Sequence, residues 1–443
     1  MPRARVLLLN PPIHDFAAYD FWARPLGLLI LGGLLRANDV EVTLLDALDP
    51  RSPWLAPAER PARREPGRGR FHRAHLERDR VPEQLLEMGR RVGRRFARYG
   101  LGPEQLARAL GALPRPDAVL LGCGMTYWYP GVQEATALLR RRWPDVPLVL
   151  GGVYATLCRD HAKRHAGVDR VASGPLPGTL GVVAEVLGVN LRPAPGALPA
   201  HDLAPGADAA ALQTSSGCLN RCRYCGVAAL APRHLAHPPE RVEREARLIA
   251  ALGIRDLAIY DDALLADPAR AVEILGRLAP LALRLHAASG LACRGLTAAV
   301  ARAMGRAGLA TIRLGLETAD PERQRQLGAK VTLEELQAAL AHLEQAGYTR
   351  SEIGVYVMAG LPGQELSEVE HSLERVLALG ARPHLAEYSP VPGSPLFAEA
   401  CAASPRPLAD EPLFHNPTLL ACATFDHRRL AALKARLRQH LAS

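Results

Sequence analysis

Of the 443 residues, 48% are hydrophobic, 22% charged and only 5% aromatic, a balance that suits two aliphatic cores and excludes a disordered or collagen-like chain. The formal charge of +9 comes from 54 lysines and arginines against 45 acidic residues. Lysine occurs only at Lys163, Lys330 and Lys434, so the excess is arginine, the basic residue that GC-rich codons supply, and nucleic acid is not an expected partner.

In chain order, RVLLLN (5–10), EVTLLD (41–46), AVLLGCG (118–124), PLVLGG (147–152) and RVASG (170–174) are continuous apolar runs separated by helical stretches. Such runs predict a parallel sheet covered on both faces, a flavodoxin-like (Rossmann-like) α/β domain over residues 1–187. An insertion, 50–115, interrupts it. Its Pro- and Arg-rich opening, Arg51 to Arg73, predicts a loop, followed by helices around Pro82 to Tyr99 and Pro103 to Leu113. The apolar stretch Pro25 to Leu35 is about half of the roughly 20 residues a bilayer span needs, and Met1-Pro2-Arg3 leads straight into the first strand. No transmembrane helix, signal peptide or membrane partner is expected, which implies a cytoplasmic protein.

Residues 188–207, rich in Pro and Gly, predict a linker. Over 208–399 a strand-helix unit repeats six times, with strands near ALQTS (211–215), DLAIY (256–260), RLHAA (284–288), TIRLG (311–315), IGVYVM (353–358) and HLAEYS (384–389). Thr332 with Glu335 and Ser367 with Glu370 signal helix starts. Gly253, Gly308, Gly347 and Gly380 mark helix ends that need a left-handed residue. This pattern predicts a partial (β/α)6 TIM-type barrel, whose chemistry belongs at the C-terminal ends of its strands. The tail, 400–443, ends in one basic helix over Asp426 to Ala442.

Directly after the first barrel strand, Cys218, Cys222 and Cys225 stand on a loop opened by Thr214-Ser215-Ser216-Gly217. Three thiolates fit three irons of a cubane and leave the fourth iron without a protein ligand. The other readings are a zinc site completed by His234 or His237, and three buried structural cysteines. Cys123, Cys158, Cys293, Cys401 and Cys422 read as small buried hydrophobes, not as a disulfide scaffold.

A C-x3-C-x2-C loop with Tyr224 before its last cysteine, following the first strand of a six-unit barrel, resembles the radical S-adenosylmethionine superfamily. The resemblance covers about residues 4 to 397 and implies a [4Fe-4S] cluster whose open iron chelates S-adenosylmethionine, giving a 5'-deoxyadenosyl radical. It implies that Tyr224 flanks the adenine. Asp261 or Asp262 takes the place of a Gly-Gly-Glu that binds the methionine amino group, although the glycines are missing here. Glu317 is implied to reach the ribose, Arg313 the carboxylate, and Gly360 and Gly363 the adenine. Tyr388 and His286 are candidate cavity residues, each with a plain packing alternative.

Joined to such a barrel, the first domain resembles the cobalamin-binding-like (B12-binding) class, with Asn10, Thr126, Gly151, Gly152 and Gly174 at its strand ends. The D-x-H-x-x-G motif that brings a histidine to cobalt is missing, and His14 lacks its spacing, so any cobalamin is expected without a histidine beneath it. The aromatic clusters Tyr19 to Pro25 and Met125 to Pro130 are candidates to wall a cobalamin or an apolar substrate, with an interface core as the alternative. The reaction stays open between methyl transfer through cobalamin and a rearrangement, cyclisation or bond cleavage without it. The substrate is expected to be a small molecule or peptide, and the reducing partner a flavodoxin or ferredoxin. Two alternatives are a tRNA methylthiotransferase-like enzyme and a non-catalytic zinc or iron-sulfur scaffold. The first is disfavoured because only Cys123 and Cys158 could begin a second cysteine trio and the tail lacks room for an RNA-binding module; agreement among the strand ends disfavours the second.

Overall fold

The computed structural model describes residues 4–77 and 81–441. Those parts of the expected first domain, insertion and tail that fall on 1–3, 78–80 and 442–443 lie outside the described residues. Two compact units emerge, Met1–Ala207 and Asp208–Ser443.

In the first unit, β1 (Ala4–Asn10), β2 (Val40–Asp46), β3 (Ala118–Cys123), β4 (Leu148–Gly152) and β5 (Arg170–Val171) pair in parallel in the order 5-4-3-1-2. This is the flavodoxin-like order, whose switch point lies between β1 and β3. Neighbouring residues such as Val6, Leu7, Leu8 and Leu9 are all buried, because helices cover both faces; this is why the strands read as unbroken apolar runs. Residues 188–207 belong to this unit and are tied to the helix Leu26–Arg36, with Ala200 N donating to Leu29 O at 2.9 Å and Arg36 paired with Asp202 at 2.7 Å.

The insertion departs from expectation. Instead of a loop, its opening part forms short strands, Arg63–Glu65 and Arg68–Arg70, which join Tyr19–Phe21 in a small sheet. Arg63 and Arg24 converge there on the buried Asp20, an ionic centre that composition could not foretell. The helix expected to reach Tyr99 ends at Val92, where Gly93 turns left-handed, and Ala97–Tyr99 becomes a strand against Ile13–Asp15.

The second unit places β6 (Ala209–Leu212), β7 (Asp256–Ile259), β8 (Arg284–Leu291), β9 (Leu309–Glu317), β10 (Gly354–Ala359) and β11 (Arg382–Glu387) in parallel and in sequential order. It is a partial barrel. The four helix-ending glycines all have positive φ, from 73° to 97°, and the Thr332–Glu335 capping box is formed in both directions. Ser367 does not cap: that helix begins one residue earlier, at Leu366, after Glu365. His286 lies low in the barrel, held by Asp256 Oδ1 and Thr311 Oγ1 at 2.9 Å each, so it is a satisfied core histidine. The tail ends in the helix His427–His440, N-capped by Asp426. Among the described residues no helix is long and apolar enough to cross a membrane.

Candidate functional site

Beyond β6 the chain enters the cysteine loop, whose base is pinned by a short antiparallel pairing of Ser215 with Ala236 and Ser216 with Leu235. The end of β7 shapes the rest. Buried Asp261 accepts from Thr214 N at 2.6 Å, Thr214 Oγ1 at 2.5 Å and Ser215 Oγ at 2.7 Å. Asp262 accepts from Gly217 N at 2.9 Å. Arg270, on the following helix, donates to the carbonyls of Thr214 and His237. Gly217 turns with φ of 77°, and a Cβ on it would stand 2.3 Å from Arg233 O, so only glycine fits. Burial pushes the Asp261 carboxyl up, against the Thr214 and Ser215 donors that pull it down.

The three thiols are half-buried and within electrostatic reach of one another. Burial pushes the Cys222 and Cys225 thiols up, while Lys330 pulls Cys222 down. No group of three or more His, Cys, Asp and Glu among the described residues converges on a single-ion position. His234 is turned to Gly217 O, and burial beside Arg241 and Arg270 brings His237 down to about 4.

Glu317 ends β9 with φ of 69°, a left-handed conformation that costs a non-glycine residue of order 1–3 kcal/mol and marks functional positions. Its carboxylate pairs with Lys330 Nζ at 3.3 Å. Tyr224, Glu317, Thr318, Gln324, Leu327 and Lys330 line one recess. The buried Tyr224 hydroxyl finds no hydrogen-bond partner in the protein although Glu317 and Cys222 are near it; burial pushes it far above its ordinary value. An orphaned buried hydroxyl beside a carboxylate and thiols fits a polar ligand that is to arrive there.

Several expected residues fall elsewhere. Arg313 precedes Glu317 by four positions, about 13 Å along a strand, and lies over Gly354 at the start of β10, against His384. Gly360, with φ of 90°, faces Leu420 and Ala423 of the tail, and its N–H donates to the buried Gln364 at 2.9 Å, which argues against an adenine contact there. Gly363 stays open on its Cα side, and its carbonyl holds Arg323. Tyr388 is buried near Cys401 and Cys422, and its hydroxyl, like that of Tyr224, has no hydrogen-bond partner in the protein. Arg270, Lys330 and Gln364 were missed in the sequence; the scarcity of lysine was the one signal available for Lys330.

At the strand ends of the first unit, Asn10 Nδ2 is bonded to Asp46 Oδ1 at 2.7 Å and Thr126 is buried, whereas Gly151, Gly152 and Gly174 remain partly or fully open. Gly174 has no atom within 4 Å of its missing side chain. His14 is buried in its short strand, with Nε2 3.3 Å from Glu134 Oε2 and its ring edge-on to Phe96. Of the aromatic clusters, Trp22, Tyr127 and Tyr129 are buried, while Tyr19, Phe21 and Met125 are exposed.

A family model of the radical SAM superfamily matches residues 212–376. The match falls on the barrel and takes in the loop of Cys218, Cys222 and Cys225. The chain is 25% identical over 217 residues to the uncharacterized methyltransferase PH0819 of Pyrococcus horikoshii; the match covers 46% of each, so less than half the length of that relative is spanned. Its fold resembles TsrM, a radical S-adenosylmethionine methyltransferase of Kitasatospora setae solved with cobalamin and a [4Fe-4S] cluster: TM-score 0.64 and 17% identity over 94% of this chain and 82% of that one. OxsB, a cobalamin-dependent S-adenosylmethionine radical enzyme solved with aqua-cobalamin, gives 0.57 and 11% over 98% and 62%. Both likenesses span the first unit as well as the barrel.

Proposed function

We propose that the protein is a radical S-adenosylmethionine enzyme that uses cobalamin to transfer a methyl group to an unactivated carbon. The carrying observation is the loop of Cys218, Cys222 and Cys225, which the radical SAM family model covers and which the two aspartates beyond β7 hold through Thr214, Ser215 and Gly217. Cys218, Cys222 and Cys225 would hold the cluster. Bound there, a [4Fe-4S] cluster supplies one electron to the sulfonium of S-adenosylmethionine and so gives access to a 5'-deoxyadenosyl radical.

This chain's residues bind and orient around it. Both oxygens of Asp261 are taken by the loop, so the second oxygen of Asp262 is the one offered to the cofactor's ammonium. Glu317 offers its carboxylate to ribose hydroxyls, and Tyr224 walls the same recess. In the first unit, Gly151 and Gly174, whose missing side chains meet nothing closer than 3.9 Å, suit a corrinoid approaching the backbone at the ends of β4 and β5, and His14 is turned away into Glu134 and Phe96. The likeness to TsrM and OxsB across most of the chain, and the methyltransferase name of the archaeal relative, support methyl transfer over cobalamin-free chemistry. A small-molecule or peptide substrate and a flavodoxin or ferredoxin donor complete the reading.

The test is anaerobic reconstitution with iron, sulfide and hydroxocobalamin. Four irons and four sulfides per chain are expected, with a broad absorption near about 400 nm, bound corrinoid, and slow release of 5'-deoxyadenosine after dithionite reduction. Replacing the three cysteines with alanine removes the cluster and leaves the fold. A triple variant that still loads four irons refutes the cluster assignment, and wild-type protein that binds no corrinoid refutes the cobalamin assignment.

A further inference from the structure

Lys330 carries chemistry that neither the sequence pattern nor the expected cofactor contacts assign. Its ammonium is buried with its partner, the two side chains of the Lys330–Glu317 pair being 15% and 12% exposed. Two close approaches bring it there. The backbone at Gly328 lies against the cysteine loop, where a Cβ would stand 2.8 Å from Arg221 O and 3.4 Å from Cys222 Cα. Over β9, a Cβ on Gly315 would meet Lys330 Nζ at 2.6 Å and Glu317 Oε1 at 2.8 Å, so the ion pair lies directly over Gly315. The chain otherwise draws its cations overwhelmingly from arginine. A compact ammonium fits this space over glycine, where a planar guanidinium would be crowded.

Resting on the cluster reading above, we infer that Lys330 is a positioning residue that sets the reduction potential of the cluster through Cys222 and fixes the strained Glu317 beside it. Reduction adds one electron, from dithionite or a protein donor, to an oxidised 2+ cluster and gives the 1+ state; no proton or bond changes hands at Lys330. The added negative charge is met by a fixed ammonium in a recess largely closed to water, where charges act more strongly than at a surface. Glu317, which also acts on Cys222, opposes this. Removing Lys330 therefore both withdraws a cation and leaves the carboxylate uncompensated.

The experiment is an electron paramagnetic resonance-monitored redox titration of reconstituted full-length protein, with iron and sulfide counted in each sample. Lys330→Met should lower the ratio of reduced to oxidised cluster at fixed potential by about tenfold or more, which is a shift of about 59 mV for one electron. Lys330→Arg should recover part of it, and Glu317→Gln should move the midpoint upward. Should Lys330→Met fail to load, Lys330→Gln combined with Glu317→Gln is compared with Glu317→Gln alone, and a lower midpoint in the double variant is expected. A fully loaded Lys330→Met protein with the wild-type midpoint, or a double variant that titrates like Glu317→Gln, overturns the inference and leaves the cluster reading intact. Wild-type protein that takes up no iron and sulfide overturns both.

Discussion

Asp261→Ala tests whether β7 shapes the cysteine loop. The substitution strips the acceptor from one amide and two hydroxyls, all within 2.7 Å of the carboxylate. A hydrogen bond to a charged acceptor contributes about 1.5–3 kcal/mol, and a buried donor left alone costs about 1–3 kcal/mol. The three do not add. The hydroxyls can rotate to other acceptors, and burial already works against the charged carboxylate, so the Thr214 amide sets the lower limit. Roughly 3–5 kcal/mol of destabilisation of the barrel unit is expected. Asp261→Asn keeps the acceptor for Thr214 N and should lose about 1 kcal/mol. Urea denaturation of the cluster-free protein followed by circular dichroism reads the stability, and iron counting after reconstitution reads the loop, which should load poorly in Asp261→Ala and nearly normally in Asp261→Asn. An alanine variant with wild-type stability and four irons would refute the reasoning.

Gly217→Ala should abolish cluster loading with little loss of secondary structure, because its Cβ would collide with Arg233 O at a positive φ; iron counting and far-ultraviolet circular dichroism decide it. Burial raises the Asp46 carboxyl from 3.8 to about 6 despite the Asn10 and Leu48 donors. The folded chain thus keeps a proton that the unfolded chain releases, and this contribution to stability is complete below about pH 4 and lost as pH rises through about 6, at most about 3 kcal/mol. Asp46→Asn should flatten that part of the pH profile of the urea midpoint; an unchanged slope between pH 4 and 6 would count against it. His14→Ala should leave corrinoid binding unchanged, and the cob(II)alamin spectrum should show no histidine nitrogen splitting in either protein.

Periodicity carried the fold because the two large sheets are parallel, and their strands read as short, largely apolar runs separated by helical stretches. The cysteine loop was legible for a different reason: three thiols at fixed spacing are chemistry written in adjacent residues. What stayed hidden depends on contacts remote in sequence. Asp261 and Asp262 could be seen as carboxylates at a strand end, yet only the folded loop shows that the first is consumed by Thr214 and Ser215. Arg313 and Glu317 alternate correctly on one strand, but alternation gives the face and not the depth. In the insertion, Arg63 meets Asp20 across 43 positions, in the small sheet where a Pro- and Arg-rich loop was expected.

The bracing of the cysteine loop by β7 also bears on assembly. In small zinc modules the metal organises the chain, so that chelation and unfolding are one event. Here a carboxylate, an arginine and a two-residue ladder give the loop its shape from protein contacts alone. On the cluster reading, metal insertion would be a docking of iron and sulfide into a loop whose shape the protein already holds. The cradle and its cargo would then be separately replaceable, and oxidative loss of the cluster would leave a receptacle to be refilled.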